Sequence, residues 1–145
     1  NDMAAFLYAS FPLNLGGSNS SGGSPTDLLS DTINAVPHDS YTPNQTSHVL
    51  YATVVGTAAA SPVALANKTW TVSSLTSTFD NTADLVWESA TFDADHLVLY
   101  NDTPTTPLDP LIMYDAFGSQ SVTGADFTYV CSSSGLFSIT VAEDS

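Results

Sequence analysis

Residues 97–120 read LVLYNDTPTTPLDPLIMYDAFGSQ, two four-residue apolar runs that each end in tyrosine, joined by a connector holding three prolines. Pro104, Pro107 and Pro110, mixed with Thr and Asp, refuse helix and favour turns. LVLY (97–100) and LIMY (111–114) lack the polar alternation of a strand with one wet face, so both faces of each need cover. The pattern predicts two neighbouring antiparallel strands, largely buried, with Tyr100 and Tyr114 near opposite ends of the pair. The connector can extend neither ladder, because proline has no amide hydrogen to give.

Outward from this pair the chain reads as strand after strand. TINAV (32–36) is short and is expected to stop at Pro37. HVLYATVV (48–55) is apolar and rich in β-formers. TWTVSSL (69–75) alternates, with Trp70 and Val72 on one face. ADLVWESATF (83–92) sets Leu85 and Trp87 against Val86 and Phe92. HLVLY, LIMYDAF, DFTYVC and LFSITVA follow, separated by DNT, DAD, NDTPTTPLDP, GSQSVTGA and SSSG, all of turn composition. No window of eleven or more residues holds a helical period. About eight short strands predict an all-β, single-domain antiparallel β-sandwich, jelly-roll or immunoglobulin-like, over residues 31–145.

The first thirty residues differ. AAFLYASFPLNL (4–15) is apolar, and GGSNSSGGSP (16–25) has the composition of a flexible linker. Residues 1–30 read either as an arm or as a first strand plus a loop. As an arm, Phe6, Leu7, Tyr8 and Phe11 would dock on a neighbouring subunit or other partner, because an apolar segment on a tether needs cover. SPTDLLSDT (24–32) offers a capping residue and Pro25, enough for one helical turn.

With 145 residues, 43% hydrophobic, the chain is globular despite a formal net charge of −14. Lys68 is the only side-chain base apart from histidine. One lysine cannot neutralise a run of phosphates, so nucleic acid is not an expected partner, nor is an anionic membrane surface. The longest apolar runs are far below the ~20 residues of a spanning helix. No basic flank precedes an apolar core near the start, so no uncleaved secretory signal is expected. The fold must rest on apolar burial and backbone hydrogen bonds, with the charges giving solubility and mutual repulsion. Cys131, alone in FTYVCS, reads as a structural thiol, since nothing cationic nearby would lower its pKa.

Catalysis finds little footing. The candidate bases are His38, His48 and His96, read respectively in a turn and at the openings of two strands. No G-x-S-x-G elbow occurs. Asp31-Thr32 and Asp102-Thr103 lack the glycine that an aspartic-protease loop requires, and only Glu88 lies well inside a strand-like segment. No enzyme activity is expected, and no cofactor. The weak metal candidate is calcium at Asp93 and Asp95, whose DADH turn offers oxygen ligands, although a plain solvated turn is the simpler reading. The N-x-S/T triplets at Asn19, Asn44, Asn67 and Asn101 are expected by chance in so Ser- and Thr-rich a chain.

Three segments together resemble a known family. SDTINAVPHDSYTPNQTSHVLY (30–51), NKTWTV (67–72) and HLVLYNDTPTTPLDPLIMYDAFGSQSVTGADFTYVCSSSGLFSI (96–139) resemble, in order and spacing, segments of small acidic structural proteins of tailed-bacteriophage virions. The resemblance covers about residues 31–139 and brings no catalytic motif. It implies a virion component on the outer surface of the head: a capsid decoration or cement protein, homo-oligomeric as a dimer or trimer, docked on the major capsid protein or another virion protein. A tail, neck or fibre component is the alternative it leaves open. Pro37 departs from the family's longer apolar strand, and the glycine-rich start does not match. A reading from a different class is a carbohydrate-binding sandwich using Trp70, Trp87 or the tyrosines.

Overall fold

The computed structural model describes residues 5–17 and 25–144. The protein is an all-β fold of two antiparallel sheets. The chain runs through β1 (Ala5–Leu7), a short helix α1 (Phe11–Leu15), β2 (Ile33–His38), two 3-10 turns (Tyr51–Thr53 and Val55–Thr57), β3 (Val63–Ala64), β4 (Lys68–Ser73), β5 (Thr76–Asn81), β6 (Leu85–Asn101), β7 (Leu111–Tyr129) and β8 (Phe137–Thr140). One sheet has the order β1-β7-β6-β2-β3 and the other β4-β5-β8.

LVLY and LIMY pair as expected, Leu97 with Asp115, Val98 with Tyr114, Leu99 with Met113 and Tyr100 with Leu111. Both of their faces are covered. Leu97 and Leu99 look into the core between the sheets, with Phe79, Leu85, Trp87 and Leu136. Val98 and Tyr100 look the other way, into a second core with Tyr8, Tyr41, Tyr51 and Val54. Ile112 has no partner of its own between the Leu99–Met113 and Tyr100–Leu111 pairs, a bulge that lets it join Met113 in the inter-sheet core.

The strands are longer than their sequence pieces suggest. DAD (93–95) and GSQSVTGA (118–125) are not turns: the former lies inside β6 and the latter inside β7. The register breaks between Trp87 and Ala90, Ala90 and Thr91, and Ala94 and His96. Asp, Gly and Ser there occupy bulges rather than chain reversals, with Ser89, Gly118 and Gly124 at positive φ. Leu85 and Trp87 are buried as their alternation predicts, whereas Val86 is exposed.

Pro37 does not end β2, which continues to His38. The Pro37 carbonyl accepts from Ala59 N–H at 2.8 Å, so that residue's polar groups face away from β6. Its missing amide hydrogen therefore breaks no rung of the β2–β6 ladder. Gly135, at φ 93°, closes the 132–135 turn where a Cβ would lie 2.3 Å from Thr78 Cγ2. Asp27 holds the predicted helical turn: Oδ1 accepts from the Leu29 and Ser30 amides, and Asp31 N–H bonds the Asp27 carbonyl.

The arm reading of the N-terminal segment is corrected. β1 pairs with β7 along Ala5–Asp115, Phe6–Tyr114 and Leu7–Met113. Tyr8 and Phe11 are fully buried within this chain and offer nothing to a partner. Tyr8 enters the second core and Phe11 the inter-sheet core, so the segment wraps the β7 edge from one face to the other. Leu7 is half-buried against the inter-sheet core, and of the four residues only Phe6 is substantially exposed, at 49%. The Gly/Ser linker falls mostly on residues 18–24, outside the described residues.

Candidate functional site

The densest polar chemistry lies on the face of the large sheet away from the small one. All three histidines and five of the six tyrosines (Tyr8, Tyr41, Tyr51, Tyr100 and Tyr114) meet in this layer or on its rim. Residues 39–58 form its lid. The antiparallel register sets His38 beside His96 across β2 and β6. HVLYATVV, expected as a strand, instead folds back through the two 3-10 turns. Leu50 is extended and bridges Pro110, after which the first 3-10 turn sends Tyr51 and Val54, three residues apart, into the second core. Tyr51 stacks flat on Tyr100 with ring centroids 3.9 Å apart, and this face burial outweighs β-propensity.

Hydrogen-bond directions follow from the available donors. Thr57 Oγ1 donates to the Val54 carbonyl, so it accepts from His38 Nδ1–H, at 2.8 Å. His38 Nε2 then accepts from the Tyr51 hydroxyl at 3.0 Å. Burial holds this fully enclosed imidazole neutral, its pKa pushed down to about 4. Asn44 N–H donates to His48 Nδ1, which makes that nitrogen an acceptor for Tyr41 O–H, and Tyr8 O–H in turn donates to the Tyr41 oxygen at 2.6 Å. Burial raises the pKa of Tyr8, Tyr41, Tyr51 and Tyr100, so these phenols stay protonated.

This network of hydrogen bonds ties the lid to the large sheet. Thr57 Oγ1 commits its proton to a carbonyl, the Tyr51 hydroxyl commits its own to His38, and both ring nitrogens of His38 are occupied. Outside the layer, a shallow depression of about 290 Å³ opens over Tyr41, His48, Thr53 and Thr57. It exposes hydroxyls and one imidazole edge, with no carboxylate among its lining residues.

Asp93 and Asp95 do not form the turn that would suit calcium. Both lie in β6, and the register break between Ala94 and His96 gives them different neighbours. Asp93 accepts from Ser121 Oγ at 2.6 Å. Asp95 accepts from the Ser40 and Tyr41 amides and contacts His96 Nδ1 at 2.6 Å, pinning the corner where the lid leaves β2. Burial raises the Asp95 pKa, but the hydrogen bonds from His96 and the Tyr41 and Ser40 amides outweigh it and hold the carboxyl below its usual value. Among the described residues no group of three or more His, Cys, Asp or Glu is placed to hold a metal ion.

Trp87 is buried, its Nε1–H donating to the Ser61 carbonyl at 2.8 Å, so it cannot serve as a sugar-stacking platform. Trp70 packs on Phe79 and Phe137 and is partly open to a groove of about 480 Å³ beside Leu29 and Asp31. Cys131 is half-buried, and burial together with Asp80 and Asp84 pushes its thiol up to about 11, which disfavours the reactive thiolate. Lys68 Nζ donates to the Asp31 backbone carbonyl. No helix among the described residues is long and apolar enough to cross a membrane.

In comparisons with known proteins the chain matches no family model, no curated protein and no solved structure.

Proposed function

We propose that this protein is a non-enzymatic structural component of a tailed-bacteriophage virion, a decoration or cement protein on the outside of the head. The observation that carries the reading is where the resembling segments sit. SDTINAVPH supplies β2, HLVLYN the end of β6 and LIMYDAFG the start of β7, three strands side by side in register at the centre of the large sheet, while NKTWTV supplies β4 at the edge of the small sheet. Segments far apart in sequence that share a resemblance and also share one contiguous sheet are what a common fold would require. The commitment of the buried His, Tyr and Thr groups to one another supports a structural role over a catalytic one. A surface of net charge −14 suits a docking strip rich in Lys or Arg on a capsid protein, through steering and complementarity.

Quantitative mass spectrometry of purified virions is the test. A head decoration protein is expected at hundreds of copies per particle. A copy number in small multiples of three or six moves the protein to the tail or neck. Absence from purified particles overturns the virion reading altogether.

A further inference from the structure

Sheet edges that are left unpaired are the places where a β-protein meets other chains. Among the described residues the large sheet ends in β1 and β3, of three and two residues, and the small sheet in β8, of four, and β4, of six. β4 is thus the longest free edge. Its sequence, KTWTVS, contains no proline and no carboxylate. Lys68, the residue type that commonly guards an edge, is turned onto the Asp31 carbonyl instead. The outer half of the strand, from Thr71 to Ser73, is exposed, and Val72 is 72% accessible. At the same end Val141 N–H bonds the Leu75 carbonyl, which adds two more exposed apolar side chains to the tip of this sheet.

Charge restricts where a second copy could dock. Two copies that each carry −14 repel, and association is least opposed where the facing surfaces hold fewest carboxylates. Of the chain's fifteen acidic residues only Asp80 lies on the three strands of the small sheet; Asp27 and Asp31 lie beside the Lys68 end of β4, where the chain's single lysine offsets them. We propose that β4 pairs with β4 of a second copy, antiparallel about a twofold axis through Thr71, joining two three-stranded sheets into one of six.

The register follows from the backbone. Ser73 and Thr76 close the two-residue turn Ser74–Leu75, with Ser74 at φ 55°, and so form a hydrogen-bonded pair. Alternation then points the amides of Val72 and Trp70 away from β5, toward the open edge. An antiparallel pair centred on Thr71 brings Val72 opposite Trp70 of the other copy, twice, so the exposed valine is covered by an indole and the free amides are satisfied. The edge is complementary to itself.

Sedimentation equilibrium of the full chain over a concentration series, at low and high salt, tests this. A dimer is expected, tighter at high salt because the remaining charges are screened. Val72→Pro removes only an outward amide, so it should leave the monomer folded, with its melting transition retained, and abolish the dimer at every salt concentration. Thr71→Asp changes an exposed side chain, sets two carboxylates across the axis and should weaken the dimer about tenfold at low salt, with recovery at high salt. Should Val72→Pro unfold the chain, the Thr71→Asp result decides by itself. A protein that is monomeric under all conditions, or a dimer indifferent to Thr71→Asp, overturns the proposal.

Discussion

Deleting residues 1–16 is expected to abolish cooperative folding. The deletion removes β1, so the β7 edge loses its partner and the amides and carbonyls that pair with Ala5–Leu7 lose theirs. It also removes two fully buried aromatic rings from two different cores. Phe11 meets Phe137 edge-on at 5.5 Å, and Phe11→Ala alone should cost about 3–5 kcal/mol. Tyr8 supplies the donor for Tyr41 and an edge contact to Tyr114, so its loss opens the lid layer from the side. These losses together exceed much of the ~5–15 kcal/mol by which a domain is stable. Phe6→Ser, by contrast, changes a half-exposed ring packed on Tyr114 at 5.6 Å and should leave the melting transition nearly in place. Thermal unfolding followed by near-UV circular dichroism separates these outcomes. A truncated chain that melts like the intact one would show that the segment is an appendage after all.

The N-terminal segment shows where sequence reading succeeds and fails here. AAFLYASFPL is visibly apolar, but apolar character alone does not say whose core it enters. The deciding facts are non-local: β1 pairs with residues more than a hundred positions away. LVLY and LIMY were legible because the connector forces them together and continuous apolarity demands cover on both faces. DAD and GSQSVTGA were misread because Asp, Gly and Ser serve bulges as readily as turns, and the choice depends on the partner strand. HVLYATVV is strand-like in composition yet folds as a lid. The path through two separate 3-10 turns is set by contacts to the large sheet, the Tyr51–Tyr100 stack above all, which no local pattern encodes. The His38–His96 pair depends on β2 running past Pro37 to lie antiparallel on HLVLYN, whereas the expected stop at Pro37 leaves His38 outside the strand. The hydroxyl relays that follow depend on side-chain positions no pattern encodes.

His38 makes the second large prediction, in the pH dependence of stability. Its imidazole is fully buried, bonded to Thr57 and Tyr51, with the Tyr41 ring beside it and the His96 and Asp95 pair beyond. Burial, with a smaller push from His96, lowers its pKa from 6.5 to about 4. As pH falls through 6.5 the unfolded chain takes up a proton at this position, while the folded chain does not until about pH 4. The unfolded state binds more protons throughout that window, so the stability present above pH 6.5 is progressively lost on the way down, by about 3 kcal/mol in all. Carboxylates such as Asp27 and Asp95, whose pKa values are lowered in the fold, withdraw their own contribution only at still lower pH. His38→Gln keeps a donor and an acceptor in the pocket without a titrating group. Urea denaturation at a series of pH values should therefore show the intact chain losing stability between pH 6.5 and 4, and the variant losing much less over the same range. Parallel stability curves for the two would mean that His38 is solvated or already protonated in the folded state, and the neutral, two-sided hydrogen bonding assigned to it would be wrong.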